Sequence, residues 1–309
     1  SSFEEFMKLN KKKVNKIIKQ KKLKLPSAFV ASGVGVGIRR VDQIYKVYRD
    51  TGKIPEISRL RRPRKEIDKE ERQVVIETYK QYRLGARLLE KVIKVKYNNH
   101  IPHNKIHMIL IEEGYAVPNK NKQKRRKPWI RYERNHSLSA GHMDWMEDPI
   151  THKQVCAVLD DASRKILSGR EFSSATAENS IKLVKEVIKE FGYIMKIREI
   201  ITDHGTQFCA NKFDKEGNAE HSFELFLHKE GIKHIKCRYK HPQSNGKIER
   251  WFQEYIRNRH EFQSFKEFID WYNNRPHGSL ELKWAECPNE AFRRKIPPEC
   301  LLGLFFGRN

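Results

Sequence analysis

The stretch EIITDHGTQF at residues 199–208 decides the fold of the second half of this chain. Ile200, Ile201 and Thr202 form a short apolar and β-branched run, which predicts a buried strand that ends at Asp203. Open α/β sheets place their functional sites at the carboxyl ends of such strands. Asp203 is therefore predicted to project from the sheet edge into a site.

Strand patterns precede this stretch, and alternating helix and strand patterns follow it. The predicted elements are strands at 142–146, 154–159 and 166–172, a helix at 175–191, the strand at 199–202, a helix at 222–230, a strand at 233–237 and a long helix from about Asn245. Three hairpin-connected strands followed by alternating helices and strands predict an α/β sheet of mixed direction with flanking helices. This order matches an RNase H-like core.

Positive charge is concentrated in the first part of the 309-residue chain, whose formal net charge is +24. Residues 1–137 hold 36 Lys and Arg against 14 Asp and Glu, whereas residues 138–309 hold 27 against 25. A surface that positive repels itself unless it meets a polyanion, so nucleic acid is the expected partner. No run of 18 apolar residues predicts a membrane segment, and five scattered cysteines without a C-x-x-C pair predict reduced thiols in a cytoplasmic setting.

Two helical units are predicted in the basic part. Residues 1–57 contain an amphipathic helix, a short helix, a glycine-rich turn at 32–37 and a helix that ends near Gly52, which is the order of a helix-turn-helix. The last helix would offer Arg39, Arg40 and Gln43 to a DNA major groove. Residues 66–117 repeat this plan as a second unit.

Two basic segments connect these units to each other and to the sheet. Residues 58–65 form a basic arm that Pro63 holds extended, and its cations are Arg61, Arg62, Arg64 and Lys65. Such an arm can lie in a narrow minor groove, or it can be a solvated linker. The second basic linker, residues 118–137, leaves the same alternatives open.

Three acids stand where phosphodiester chemistry would need them. Two divalent ions can activate an attacking oxygen and stabilise the leaving oxygen, and carboxylates are the natural ligands of Mg²⁺. Asp144 lies in the first strand, Asp203 ends the fourth, and Glu249 lies in the first part of the last helix. Asp144 could instead be a turn residue and Glu249 a surface acid. Asp160 and Asp161 end the second strand before a predicted hairpin turn, and they are left outside the triad.

The motifs TDHGTQF (202–208), HPQSNGKIERWFQ (241–253) and YNNRPHGSL (272–280) resemble the catalytic domain of DDE transposases of the retroviral-integrase-like type. Within that group the chain resembles bacterial and archaeal insertion-sequence transposases with two helix-turn-helix units before the core. The resemblance implies that Asp144, Asp203 and Glu249 bind two Mg²⁺ or Mn²⁺ ions per active site. It also implies an RNase H-like core at residues 138–275 and a C-terminal extension at 276–309. Asn245 and Lys247 would contact DNA, or they would only shape the loop.

The resulting hypothesis is a DNA transposase, a polynucleotidyl transferase of the prokaryotic cytoplasm that is nucleoid-associated when bound to DNA. It would bind double-stranded DNA at terminal inverted repeats, hydrolyse a phosphodiester and join the freed 3′-hydroxyl to target DNA. One active site for each element end implies at least a homodimer on DNA. Two alternatives remain open: an idle DNA-binding relic or repressor, and a plain RNase H-like nuclease that nicks without joining.

Overall fold

The computed structural model describes residues 9–56, 67–118, 132–210, 221–237, 245–281, 283 and 285–300. The chain divides into two compact units, residues 1–66 and residues 67–309. The predicted arm cations Arg61, Arg62, Arg64 and Lys65 lie outside the described residues, as does most of the second basic linker. The finer domain boundaries inside residues 67–309 remain predictions.

The first unit contains three helices around a small apolar core. They are α1 (Lys11–Lys22), α2 (Ser27–Val34) and α3 (Ile38–Thr51). The core residues recur at helical spacing, and they are Val14, Ile17, Val30, Val41 and Ile44. The turn before α3 is shorter than predicted, because residues 32–34 continue α2 and the chain turns at Gly35, whose φ is +68°. Glycine adopts this left-handed conformation without the strain that a side chain would bring.

A second group of three helices opens the larger unit. They are α4 (Lys69–Tyr82), α5 (Ala86–Tyr97) and α6 (His103–Glu112). Asp68 caps α4 by accepting a hydrogen bond from the amide of Glu70. The three helices bury a common core of Val75, Leu89, Val92, Ile93, Ile106 and Ile109. The predicted helical pattern of this segment is therefore confirmed.

A five-stranded mixed sheet follows in the order β3-β2-β1-β4-β5. The strands are β1 (Ala140–Glu147), β2 (Gln154–Asp160), β3 (Ile166–Phe172), β4 (Glu199–Thr202) and β5 (Lys233–Lys236). The first three strands pair antiparallel, whereas β4 runs parallel to both β1 and β5. This arrangement confirms the predicted α/β core of the RNase H-like type.

Helices cover both faces of the sheet. They are α7 (Ala177–Phe191), α8 (Ser222–Lys229), α9 (Gly246–Asn258), α10 (Phe265–Asn274) and α11 (Pro288–Arg294). Alternate residues of β2 face opposite sides, so Cys156 and Val158 join the core under α7 and α8. Val155, Ala157 and Leu159 join the other core, which contains the aromatic residues of α9 and α10. The sheet is thus buried on both faces.

Asn273 ties α10 to the sheet. Its amide nitrogen donates to the carbonyl of Ile166 at 3.0 Å, and its amide oxygen accepts from the backbone nitrogen of the same residue at 2.9 Å. Asn273 is buried, so this pair of bonds closes the start of β3 with a side chain. Among the described residues, no helix is both long enough and apolar enough to cross a membrane.

Candidate active site

The parallel pairing of β1 and β4 brings Asp144 and Asp203 to one edge of the sheet. The register places His142 opposite Ile201, and each acid lies two residues further along its chain. Because side chains alternate across a strand, a step of two residues keeps the side of the sheet unchanged. Asp203 follows the last residue of β4 and is exposed, whereas Asp144 is partly buried within β1.

Helix α9 supplies Glu249 to the same edge. Glu249 is exposed in the first turn of α9, which packs against β1. Asn245, the residue that precedes the helix, donates a hydrogen bond from its amide nitrogen to Asp144 Oδ2 at 2.7 Å. The start of the helix is therefore fixed relative to the first strand by a side chain that contacts one of the three acids. Asn245 is buried, and its amide oxygen has no hydrogen-bond partner among the described residues.

The three carboxylates influence one another electrostatically. Burial, together with the negative charges of Asp203 and Glu249, raises the pKa of Asp144 to about 7. Hydrogen bonds from the backbone amide of Trp145, at 2.8 Å, and from Asn245 oppose this shift. The cost of placing like charges together is a property of sites that take up protons or cations.

The loop after β4 is shaped around Asp203. The backbone amide of Gly205 donates to Asp203 Oδ1 at 2.9 Å. A Cβ at residue 205 would lie 3.0 Å from that oxygen and 2.5 Å from Oε1 of Gln207, so an added methyl group would disturb this hydrogen bond. His204 is anchored through Nε2 to the carbonyl oxygen of Cys237 at 2.7 Å.

Lys247 lies in a buried ion pair, although the sequence predicted a contact with DNA. Its ammonium group donates to Asp161 Oδ1, the same oxygen that the imidazole of His142 contacts through Nε2 at 2.6 Å. Burial lowers the pKa of His142, so the imidazole is neutral and donates this bond. The cluster connects α9 to β1 behind Asp144, and it gives Asp161 a role that the sequence did not predict.

The chemistry of the donors and their present geometry differ in what they allow. Within the part of the chain that the structure describes, no group of three or more His, Cys, Asp or Glu side chains is positioned to hold a metal ion as it stands. Asp144, Asp203 and Glu249 nevertheless provide oxygen ligands of the kind that Mg²⁺ prefers. Their mutual repulsion is of the sign that a divalent cation would relieve.

The predicted DNA-contacting residues of the first unit lie together on α3. Arg39, Arg40 and Gln43 are exposed in its first two turns. The guanidinium of Arg40 donates to the side-chain oxygen of Gln43 at 3.3 Å. These side chains are therefore available at the N-terminal end of the third helix, where recognition helices carry their base contacts.

We predict that Asp161→Asn destabilises the larger unit by about 3 kcal/mol at pH 7, because it leaves buried polar groups without their charged partner. Burial opposes ionisation of Asp161, but the hydrogen bond from His142 and the charge of Lys247 prevail and hold its pKa well below the usual value. A lowered pKa in the folded state means that the stabilisation is present above about pH 4 and is lost as the pH falls towards the folded pKa.

Urea unfolding followed by tryptophan fluorescence measures this effect in the larger unit, which contains every tryptophan of the chain. The difference between wild type and Asp161→Asn is expected to decrease by about 1 kcal/mol between pH 4 and pH 3. An equal difference at both pH values would contradict the charged role of Asp161.

Comparison with known proteins identifies the sheet domain. Residues 134–242 match the family model of the integrase core domain. The chain is 34% identical over 103 residues to a protein of Spiroplasma virus SpV1-C74 named "Putative integrase ORF3"; the match covers 32% of this chain and 28% of the viral protein. It is 31% identical over 119 residues to an uncharacterized protein of Archaeoglobus fulgidus, which covers 38% of this chain and 94% of that protein.

A solved structure, the catalytic core domain of BIV integrase, aligns over 51% of this chain and 95% of its own with 14% identity and a TM-score of 0.39. The family model and the A. fulgidus protein, which is aligned over nearly its whole length, carry the assignment. The chain belongs to the integrase core domain family, a family of DNA integration and recombination.

Proposed function

We propose that this protein is a DNA transposase that cuts and joins DNA at the ends of a mobile element, with Asp144, Asp203 and Glu249 as its catalytic residues. The observation that carries the proposal is the meeting of these three acids at one sheet edge. Parallel strand pairing aligns Asp144 with Asp203, and the bond from Asn245 brings the helix of Glu249 to them. The exposure of Asp203 and Glu249 leaves this edge accessible to a DNA backbone.

The donor set favours a divalent metal centre. Carboxylate oxygens suit Mg²⁺ or Mn²⁺, and the rise in the pKa of Asp144 reflects negative charge that a cation would neutralise. Asp144, Asp203 and Glu249 would hold two ions. When bound, the ions would activate the attacking oxygen and stabilise the leaving oxygen of the phosphodiester.

The protein's own residues keep the three acids in place. Asn245 orients Asp144 through the bond to Oδ2, and the amide of Trp145 holds the other oxygen. The amide of Gly205 fixes Asp203. Asp161, with Lys247 and His142, anchors α9 to β1, so that the position of Glu249 depends on the packing beneath it. Lys247 is thus proposed as a positioning residue in place of the predicted DNA contact.

The basic helices would bring DNA to this site. Arg39, Arg40 and Gln43 present cationic and amide groups suited to phosphates and base edges. The arm cations Arg61, Arg62, Arg64 and Lys65 would add minor-groove contacts. Two element ends need two active sites, so the active species is proposed to be at least a homodimer on DNA.

A cleavage and joining assay tests the catalytic proposal. The substrate is DNA from the flanks of the protein's own gene, with Mg²⁺ or Mn²⁺, and the proteins are wild type, Glu249→Gln and the exposed control Glu178→Gln. We expect metal-dependent release of a 3′-hydroxyl end and its joining to a plasmid. Glu249→Gln should lower both rates by at least a hundredfold, whereas Glu178→Gln should leave them unchanged. Binding without cutting would favour the idle binder, and nicks without joining would favour the plain nuclease.

The DNA-reading role of α3 has its own test. Replacing Arg39 and Arg40 by Ala should weaken binding to the element ends and reduce the dependence of log K on log salt by about one unit for each phosphate that these arginines neutralise. Arg49→Ala, at the other end of the same helix, serves as the control. Fluorescence anisotropy at several salt concentrations measures the slope. Equal slopes in the double variant and wild type would remove α3 from the DNA interface.

A further inference from the structure

A cavity of about 1040 Å³ lies between the second helical group and the face of α9 away from Glu249. Its walls include residues 83–88, the segment between His107 and Ala116, and residues 275–279. None of the three proposed catalytic acids lines it. Trp271 closes one boundary by donating from Nε1 to the carbonyl of Gln81 at 2.8 Å. The ion pair of Arg83 with Glu261, at 3.1 Å, joins the same two groups of helices.

Two buried N–H groups of lining residues have no partner among the described residues. Trp251 is 1% exposed, and Arg275 is 4% exposed. The indole Nε1 of Trp251 and the Nε of Arg275 both lack an acceptor, although Arg275 uses another nitrogen for Glu254 at 2.7 Å. Buried donors are almost always satisfied, since leaving one unpaired is costly. Two such donors at one cavity indicate that an oxygen-bearing molecule occupies it.

The charge of the lining selects an anion. The cationic lining residues are Arg83, Arg164, Lys247, Arg250, Arg257 and Arg275, whereas Glu254 is the carboxylate among them. Several of these cations have acidic partners just outside the cavity, but Arg250 is exposed and forms no ion pair with any described residue. Arginine suits phosphate because its planar guanidinium presents parallel N–H donors.

An aromatic pair adds a preference for a flat ring. Tyr79 and Tyr115 both line the cavity, and their rings stack with centroids 4.6 Å apart at an interplanar angle of 27°. Aromatic side chains of this kind serve as stacking platforms for nucleic-acid bases without regard to sequence. The volume is of the size that small-molecule sites occupy.

We propose that this cavity binds one nucleotide, with its phosphate at the N–H groups of Trp251 and Arg275 and its base against the Tyr79–Tyr115 pair. The same chemistry would accept a nucleotide unit of a DNA strand or a free mononucleotide. The proposal rests on the proposed function only in that a DNA transposase supplies the strand. Its site is separate from the three acids.

Thermal unfolding of the full-length protein tests the nucleotide chemistry. Thymidine monophosphate should raise the midpoint in a concentration-dependent way, whereas thymidine, which lacks the phosphate, should not. Trp251→Phe keeps an aromatic ring and removes the N–H group, so it should weaken the affinity for the monophosphate about tenfold. Arg250→Gln should also weaken it, in contrast to the charge-matched change Lys229→Gln on the exposed side of α8.

Photo-crosslinking distinguishes the two sources of the nucleotide. A single-stranded oligonucleotide containing 5-iodo-deoxyuridine is irradiated with the Glu249→Gln protein, and the attached peptide is identified by mass spectrometry. Attachment at Tyr79 or Tyr115 supports the DNA strand, and a shift with the monophosphate alone supports the free nucleotide. The absence of both, or equal responses in wild type and Trp251→Phe, would overturn the proposal and leave water on the two donors. Because no step requires catalysis, a failure of the proposed function would not produce this result.

Discussion

Repulsion among three carboxylates is the constraint on which the arrangement of the site depends. Asp144, Asp203 and Glu249 come from a strand, a strand end and a helix, and burial beside the other two charges raises the pKa of Asp144 to about 7. Like charges are held together only where the surrounding structure fixes them. Here the fixing groups are the parallel pairing of β1 with β4, the amide of Asn245 and the buried cluster around Asp161.

The two cores of the sheet domain explain why these fixing groups are rigid. Alternate residues of β2 pack under α7 and α8 on one face and under α9 and α10 on the other. A shift of α9 along the sheet would separate Asn245 from Asp144, and it would also pull Trp251 and Tyr255 out of their packing. The position of Glu249 is therefore coupled to the aromatic core, and the integrase core family assignment agrees with this architecture.

Local pattern was enough to predict the elements, because the decisive signals are periodic. The strand at 166–172 and the strand at 199–202 were predicted with the bounds that the structure has. The roles of Lys247 and Asp161 could not be predicted, because they depend on a contact across 86 positions of sequence. A lysine beside a conspicuous glutamate suggested DNA, and only the packing of α9 on β1 brings it to Asp161. The cavity beside Trp251 was equally hidden, because its walls come from segments far apart in the chain.

Mn²⁺ binding tests most directly whether the three acids form one metal centre. Electron paramagnetic resonance would follow a Mn²⁺ titration of the full-length protein, of Asp203→Asn, of Glu249→Gln and of the control Glu178→Gln. The account predicts that wild type and Glu178→Gln bind Mn²⁺ with equal affinity, whereas each of the other two variants binds it at least tenfold more weakly. Equal affinity in all four proteins would contradict the assignment of Asp144, Asp203 and Glu249 as a metal-binding triad.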